Sequence, residues 1–266
     1  MVNPNKKRLT VSDIRLSHSK EKNRQDRKDL WLYYVARRVS FYPTWLFLKL
    51  GISANQATYI SMVIGIVGCG LLAVGNYGVR IVGASLISFW IVLDCVDGNI
   101  ARFKKTFSDY GEFLDALSGY IMNVSLFLSV GISVCIYPES SFESINWFFS
   151  VNFSENVLII LSIWTSLSII FPRLIYHKFK NTFSQFKNVE IKPEGEFLKS
   201  FYLLGYRIVH NIVSFSGFLT PLLFLATIFK YLSMFILFYA LINTSLLIVT
   251  VSLITFNAWK LEKRNH

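Results

Sequence analysis

The chain has 266 residues, of which 53% are hydrophobic, 16% aromatic and only 16% charged, against about 25% charged in an ordinary soluble domain. It nevertheless carries a net charge of +11, from 27 Lys and Arg against 16 Asp and Glu. That combination excludes a soluble globular domain and fits apolar runs separated by basic connections, the pattern of an all-α polytopic membrane protein.

Polar residues fill the first 29 positions, so no signal peptide is expected there. Residues 30–50 read LWLYYVARRVSFYPTWLFLKL. Arg37, Arg38 and Pro43 interrupt this stretch, and aromatics beside basic residues suit an amphipathic helix lying in the membrane interface rather than crossing it. Six longer apolar segments follow, at about 57–74, 81–96, 113–136, 157–175, 201–229 and 232–256, near the roughly 20 residues a spanning helix needs. The first contains Gly65, Gly68, Gly70 and Gly75, which would let helices approach closely. The second reaches spanning length only if it takes in Asp94 and Asp97, and the fifth holds Arg207 and His210 near its start. Polar groups at such depth are expensive and functional more often than not.

The predicted organisation is a basic N-terminal segment with its interfacial helix (1–54), a six-helix membrane domain (55–260) and a short tail (261–266). Alternate connections carry 24 of the 27 basic residues, while the connection at 137–156 has three Glu and no Lys or Arg. The positive-inside rule then puts both termini and the loop at 97–112 in the cytoplasm. Charge spread along one membrane face is expected to meet anionic lipid rather than nucleic acid. Cys69, Cys95 and Cys135 form no CxxC pair, and His18, His177, His210 and His266 show no metal-ligand spacing.

The chemistry is concentrated in DCVDGNIARFKKTFSDYGEFLDALSG, from Asp94 to Gly119. Asp94 and Asp97 are spaced i,i+3 and share a helix face, and Asp115 lies one turn inside the next helix. Three converging carboxylates repel one another unless cations relieve them, and an all-oxygen set suits Mg²⁺, Mn²⁺ or Ca²⁺. Mg²⁺ completes its shell with water and substrate phosphates, so the site predicts a phosphate-bearing substrate. Gly98 allows close backbone approach, Arg102 suits a phosphate, and Gly111 leaves room for a base or sugar.

This stretch resembles the signature of the CDP-alcohol phosphotransferase (CDP-alcohol phosphatidyltransferase) family, D-x2-D-G-x2-A-R-x8-G-x3-D-x3-D. Asp94, Asp97, Gly98, Ala101, Arg102, Gly111 and Asp115 fall at matching spacings. GISANQATYIS, with Asn55 and Thr58, looks like the start of the family's first membrane helix. The resemblance implies transfer of a phosphate-linked group from a CDP-linked donor to an alcohol or phosphate-bearing acceptor, with release of CMP. It implies Mg²⁺ or Mn²⁺ held by Asp94, Asp97 and Asp115, a CDP moiety lined by Gly98, Ala101, Arg102 and Gly111, and a possible homodimer. Phospholipid or surface-glycan synthesis is the expected setting.

The last aspartate of the pattern, assigned in the family to metal binding and acceptor deprotonation, is Gly119 here. Three explanations stand open. A neighbour substitutes, with Glu112 as the candidate base and Asn123 as a further ligand. Alternatively, the acceptor is an anion that needs no deprotonation, held by Arg173 and Arg207. Otherwise the chain binds nucleotide or metal without turnover. A small cation transporter is the alternative from another class; it predicts inverted repeats, and no internal repeat is visible.

Overall fold

A computed structural model describes residues 9–137, 155–183, 205 and 207–263. Among these the chain is helices joined by short turns, with no strand. Two short helices open it: α1 (Val11–Leu16), capped by Thr10 and Asp13, and α2 (Lys20–Asp26), capped by Ser19. A π-helical turn at Leu32–Ala36 runs directly into α3 (Arg37–Lys49), which accommodates Pro43.

The long helices follow: α4 (Ala54–Val74), α5 (Tyr77–Lys104), α6 (Asp109–Ile136) and α7 (Glu155–Thr182). After a broken segment come α8 (Leu219–Ile228) and α9 (Leu232–Glu262). Five helices among the described residues, α4, α5, α6, α7 and α9, are long and apolar enough to cross a membrane. Their outward residues are themselves apolar, as with Val63 and Val67 on α4, Ile160 and Leu167 on α7, and Leu241 and Ile248 on α9. Apolar faces turned outward on a bundle with an apolar interior are what a lipid environment selects, and the chain is a multi-pass membrane protein.

The second predicted span is longer than the sequence suggests. Helix α5 continues through the first part of the motif instead of ending near residue 96, so Asp94 and Arg102 stand on one rigid element. It stops where Lys105 takes a left-handed conformation (φ 55°) and the Thr106 N–H donates to the Ala101 carbonyl, a C-terminal capping geometry. At about 1.5 Å per residue its 28 residues exceed the roughly 30 Å hydrocarbon thickness, which leaves the motif end free to stand at the membrane surface.

The fifth predicted span differs more. Residues 201–204 and 206 lie outside the described residues; from 207 onward the segment is two helical pieces, 207–213 and α8, separated by a turn at 214–218. Gly217 makes the turn possible, because a side chain there would collide with the Asn211 backbone. The polar groups released at the break find partners. The Ile212 carbonyl accepts from the Tyr239 hydroxyl (2.7 Å), and the Ser216 carbonyl accepts from the Leu32 N–H (2.9 Å). A break inside a membrane bundle persists only with such substitutes.

Packing holds these elements around a core centred on Ile87, Trp90, Met122, Phe127 and Tyr239. Helix α4 lies against α5 and α6, α6 against α7, and α7 against α9. The glycine-rich face of α4 acts as expected at Gly65, which sits under Met122 and Trp90, and at Gly68, which abuts the backbone of Gly83 on α5. Gly70 faces open space, and Gly75 ends α4 rather than packing between helices.

Candidate functional site

The three aspartates converge. One carboxylate oxygen from each of Asp94, Asp97 and Asp115 lies within 4.8 Å of the others. Helix α5 presents the first two from adjacent turns, and α6 brings the third from its second turn. Asp97 is the most enclosed of the three. Its Oδ2 accepts from the Thr58 hydroxyl on α4 at 2.7 Å, and its Oδ1 accepts from the Gly98 N–H. Thr58 is itself buried on α4 and gives its one hydroxyl proton to the shorter of its two contacts, that to Asp97 rather than the Ala54 carbonyl at 3.2 Å, so α4 fixes the rotamer of Asp97. Three converging carboxylates with no Cys or His among them form a hard oxygen donor set, which fits Mg²⁺ or Mn²⁺.

The cluster separates two cavities, and Asp115 lines both. The first, of about 400 Å³, is bounded by Asn55, Asp97, Gly98, Ala101, Gly111 and Glu112. Five motif residues named in the sequence, Asp97, Gly98, Ala101, Gly111 and Asp115, therefore line the wall of one cavity. Arg102 is not on that wall: it folds back over Gly98, where an added Cβ would lie 3.0 Å from the guanidinium, and donates to Asn99 Oδ1 at 2.9 Å. Gly111 permits close contact with α4, since a side chain there would lie 3.2 Å from Asn55 Oδ1.

The second cavity, of about 410 Å³, lies on the other side of the aspartates and includes Asp94, Gly119, Asn123, Arg173 and His210. Gly119 faces open space, with nothing within 4 Å of an added Cβ. Asn123 spends its amide nitrogen on the Gly119 carbonyl (2.7 Å). Glu112 lines the first cavity and not this one. Arg173 lines the second cavity with its guanidinium 5.6 Å from the centre of the Tyr120 ring. Arg207 lines a separate, larger cavity of about 900 Å³ beside Arg24, Arg27 and Lys28, so the two arginines named together in the sequence stand in different places.

A polar network absent from the sequence reading supports the motif helix from the N-terminal side. Asp26, buried, accepts from Arg37 Nε (2.8 Å) and also contacts His18 (3.1 Å) and Lys22 (3.2 Å). Arg37 reaches on to Asn99 Oδ1 (3.0 Å) and the Cys95 carbonyl (3.3 Å). Asn99 completes its valences by donating to Ser40 and Thr44 on α3. Burial alone would raise the Asp26 carboxyl, but the His18 hydrogen bond and the charges of Arg37 and Lys22 outweigh it and hold the group well below the ordinary aspartate range. Residue types in 1–50 gave no signal of this, because a basic, acid-containing segment looks the same whether solvated or folded back.

The described site lies mostly within residues 52–186, which match the CDP-alcohol phosphatidyltransferase family model. No curated protein matches the sequence closely enough to count as a relative. The matched region spans just over half of the chain and contains all three aspartates together with Gly98, Ala101, Arg102 and Gly111; the chain belongs to the CDP-alcohol phosphatidyltransferase family.

Proposed function

We propose that this protein transfers a phosphate-linked group from a CDP-linked donor, such as CDP-diacylglycerol or another CDP-alcohol, to an acceptor, releasing CMP. The observation that carries the reading is the position of Asp115, shared by two cavities that meet at the three carboxylates. A two-substrate transfer needs such a junction, because the scissile pyrophosphate must face the donor pocket on one side and the acceptor on the other. In this reading the first cavity takes the CDP moiety along Gly98, Ala101 and Gly111, and the second takes the acceptor beside Arg173. Asp94, Asp97 and Asp115 would hold one or two Mg²⁺ or Mn²⁺ ions. Such an ion, when bound, supplies charge neutralisation at the pyrophosphate.

The chain's own residues do the rest. Thr58 keeps Asp97 oriented toward the cluster, Asn99 holds Arg102 back against Gly98, and Arg173 gives the second cavity its guanidinium. The asymmetric placement of the basic residues supports a cytoplasmic site with both termini on the same side.

The test is CMP release by purified protein in detergent or nanodiscs, with CDP-diacylglycerol and other CDP-alcohols, in Mg²⁺ or Mn²⁺. Release that Asp97→Ala abolishes supports the reading. Gly119 favours a second one, nucleotide binding without turnover: metal-dependent CDP binding with no CMP release from any donor and acceptor would establish it instead.

A further inference from the structure

We propose that His210, paired with Asp29, is the base that takes the proton from a hydroxyl-bearing acceptor, in the place left by Gly119. The inference rests on the phosphotransfer reading and makes it specific: the acceptor attacks as an alcohol.

The argument begins with what the second cavity offers. Its wall carries Asp94, Asp115, Asn123, Arg173 and His210 as strongly polar side chains. The two aspartates belong to the carboxylate cluster, a guanidinium offers donors and no acceptor, and an amide cannot accept a proton. Hydroxyls on the wall, such as Tyr120 and Ser214, carry a proton of their own and would have to lose it before serving as a base. An imidazole is the side chain that gains and loses a proton in that range. Among the described residues of this wall His210 therefore holds the suitable group, and it stands on the same cavity as Gly119.

The second observation is its partner. His210 Nε2 lies 3.0 Å from Asp29 Oδ1, with Asp29 the more enclosed of the two. The contact is close but not aligned as a hydrogen bond, as is common in a catalytic pair before substrate tightens it. An acid beside an imidazole stabilises the imidazolium that forms.

The third is that the pairing is built rather than incidental. Asn211, the next residue after His210, accepts from the Leu30 N–H (2.8 Å) and donates to the Lys28 carbonyl (2.7 Å). One side-chain amide thus grips the backbone on both sides of Asp29. The Leu32 N–H bond to the Ser216 carbonyl adds a second tie just beyond the break. Residues about 180 positions apart are held in register at the point where the fifth apolar segment is interrupted.

The step balances without any further reactant. The acceptor hydroxyl oxygen forms a bond to the donor phosphorus that bears the transferred group. The bond from that phosphorus to the bridging oxygen breaks, and its electron pair leaves with CMP. The hydroxyl proton passes to the imidazole of His210, giving an imidazolium beside the Asp29 carboxylate, and then to solvent.

The experiment measures CMP release from CDP-diacylglycerol with glycerol, inositol and glycerol 3-phosphate as acceptor probes. His210→Ala should lower the rate by about a hundredfold or more, while Mn²⁺-dependent CDP binding, read by calorimetry, stays at the wild-type value and shows the variant is folded. Asp29→Asn should lower the rate less. Two rescues separate chemistry from structure: added imidazole should restore part of the His210→Ala rate, and so should Gly119→Asp introduced into that variant, since position 119 has room for the side chain. A His210→Ala protein that turns over like wild type overturns the base assignment and leaves the transferase reading intact, as does a loss that neither rescue repairs. Wild-type protein that releases no CMP with any donor overturns both.

Discussion

Arg37 and Asn99 meet at 3.0 Å across the seam between α3 and the motif helix α5, and the Asn99 oxygen that accepts from Arg37 also accepts from Arg102. The N-terminal segment is therefore part of the site's scaffold. Arg37 is buried, and so is Asp26 behind it. Removing Arg37 leaves Asp26 with only Lys22 and His18, so the loss should fall below the about 3–5 kcal/mol of a wholly uncompensated buried charge. Arg37→Ala should accordingly lower the thermal unfolding midpoint in detergent clearly, and should weaken CDP binding because Arg102 loses the neighbour that fixes its acceptor. Arg38→Ala, one residue on and exposed, is the control and should leave both unchanged.

Asp26 also predicts how stability responds to acid. Its folded-state pKa lies below the ordinary value of 3.8, so between the two values the unfolded chain binds more protons than the folded one. Stability from this group is complete above about pH 4 and declines as pH falls further. Asp26→Asn should be less stable than wild type at neutral pH, and the gap should narrow in acid. Unfolding midpoints recorded from pH 7 down to pH 3 check the sign; a gap that widens in acid contradicts it.

The same network marks the limit of what the sequence discloses. Asp94, Asp97 and Asp115 could be brought together on paper because two lie on one helix face and the third follows a short loop. Segment lengths and hydropathy were enough for the long helices, since each is apolar around most of its circumference. Asp26, Arg37 and Asn99 could not be found this way: their partners lie across the fold, and Asn99 occupies a variable position of the motif. The break at 214–218 was equally hidden, because hydropathy averages over Ser214 and Ser216 and the compensating donors come from Leu32 and Tyr239. Periodicity reports which way a residue faces within its own helix, and carries nothing about which distant donor will satisfy a freed carbonyl.

The α4–α5 seam gives a contrast between two glycines. A Cβ at Gly83 would lie 2.6 Å from the Leu72 nitrogen and 2.7 Å from the Gly68 carbonyl oxygen, both backbone atoms that cannot swing aside. Gly83→Ala should force the helices apart and cost about 1–3 kcal/mol, the range for overpacking a well-packed interface. Gly70 lies on the same helix as Gly68 with open space around it. Gly70→Ala should be neutral or stabilise α4 by up to about 1 kcal/mol through helix propensity. Unfolding midpoints of the two variants, purified in the same detergent, test the pair; equal effects would mean that the close approach at Gly83 is not a constraint.

Arg173 and Arg207 should separate in their effects on the reaction. Arg173 stands on the cavity that contains Asp94, Asp115 and Gly119, whereas Arg207 stands on the neighbouring cavity among Arg24, Arg27 and Lys28. A hydrogen bond to a charged group is worth about 1.5–3 kcal/mol, or roughly ten- to 150-fold in affinity. Arg173→Ala should raise the acceptor KM by about that factor while the donor KM stays near wild type, because the donor pocket lies on the other side of the aspartates. Arg173→Lys should recover part of the loss, since it keeps the charge without the planar fork. Arg207→Ala removes one cation from a group of four and should change either KM by less than about threefold at physiological salt, where exposed charges are screened beyond about 8 Å. Steady-state kinetics with donor and acceptor varied in turn decides the matter: a donor KM that rises with Arg173→Ala would mean that the two cavities are not divided between the substrates as proposed.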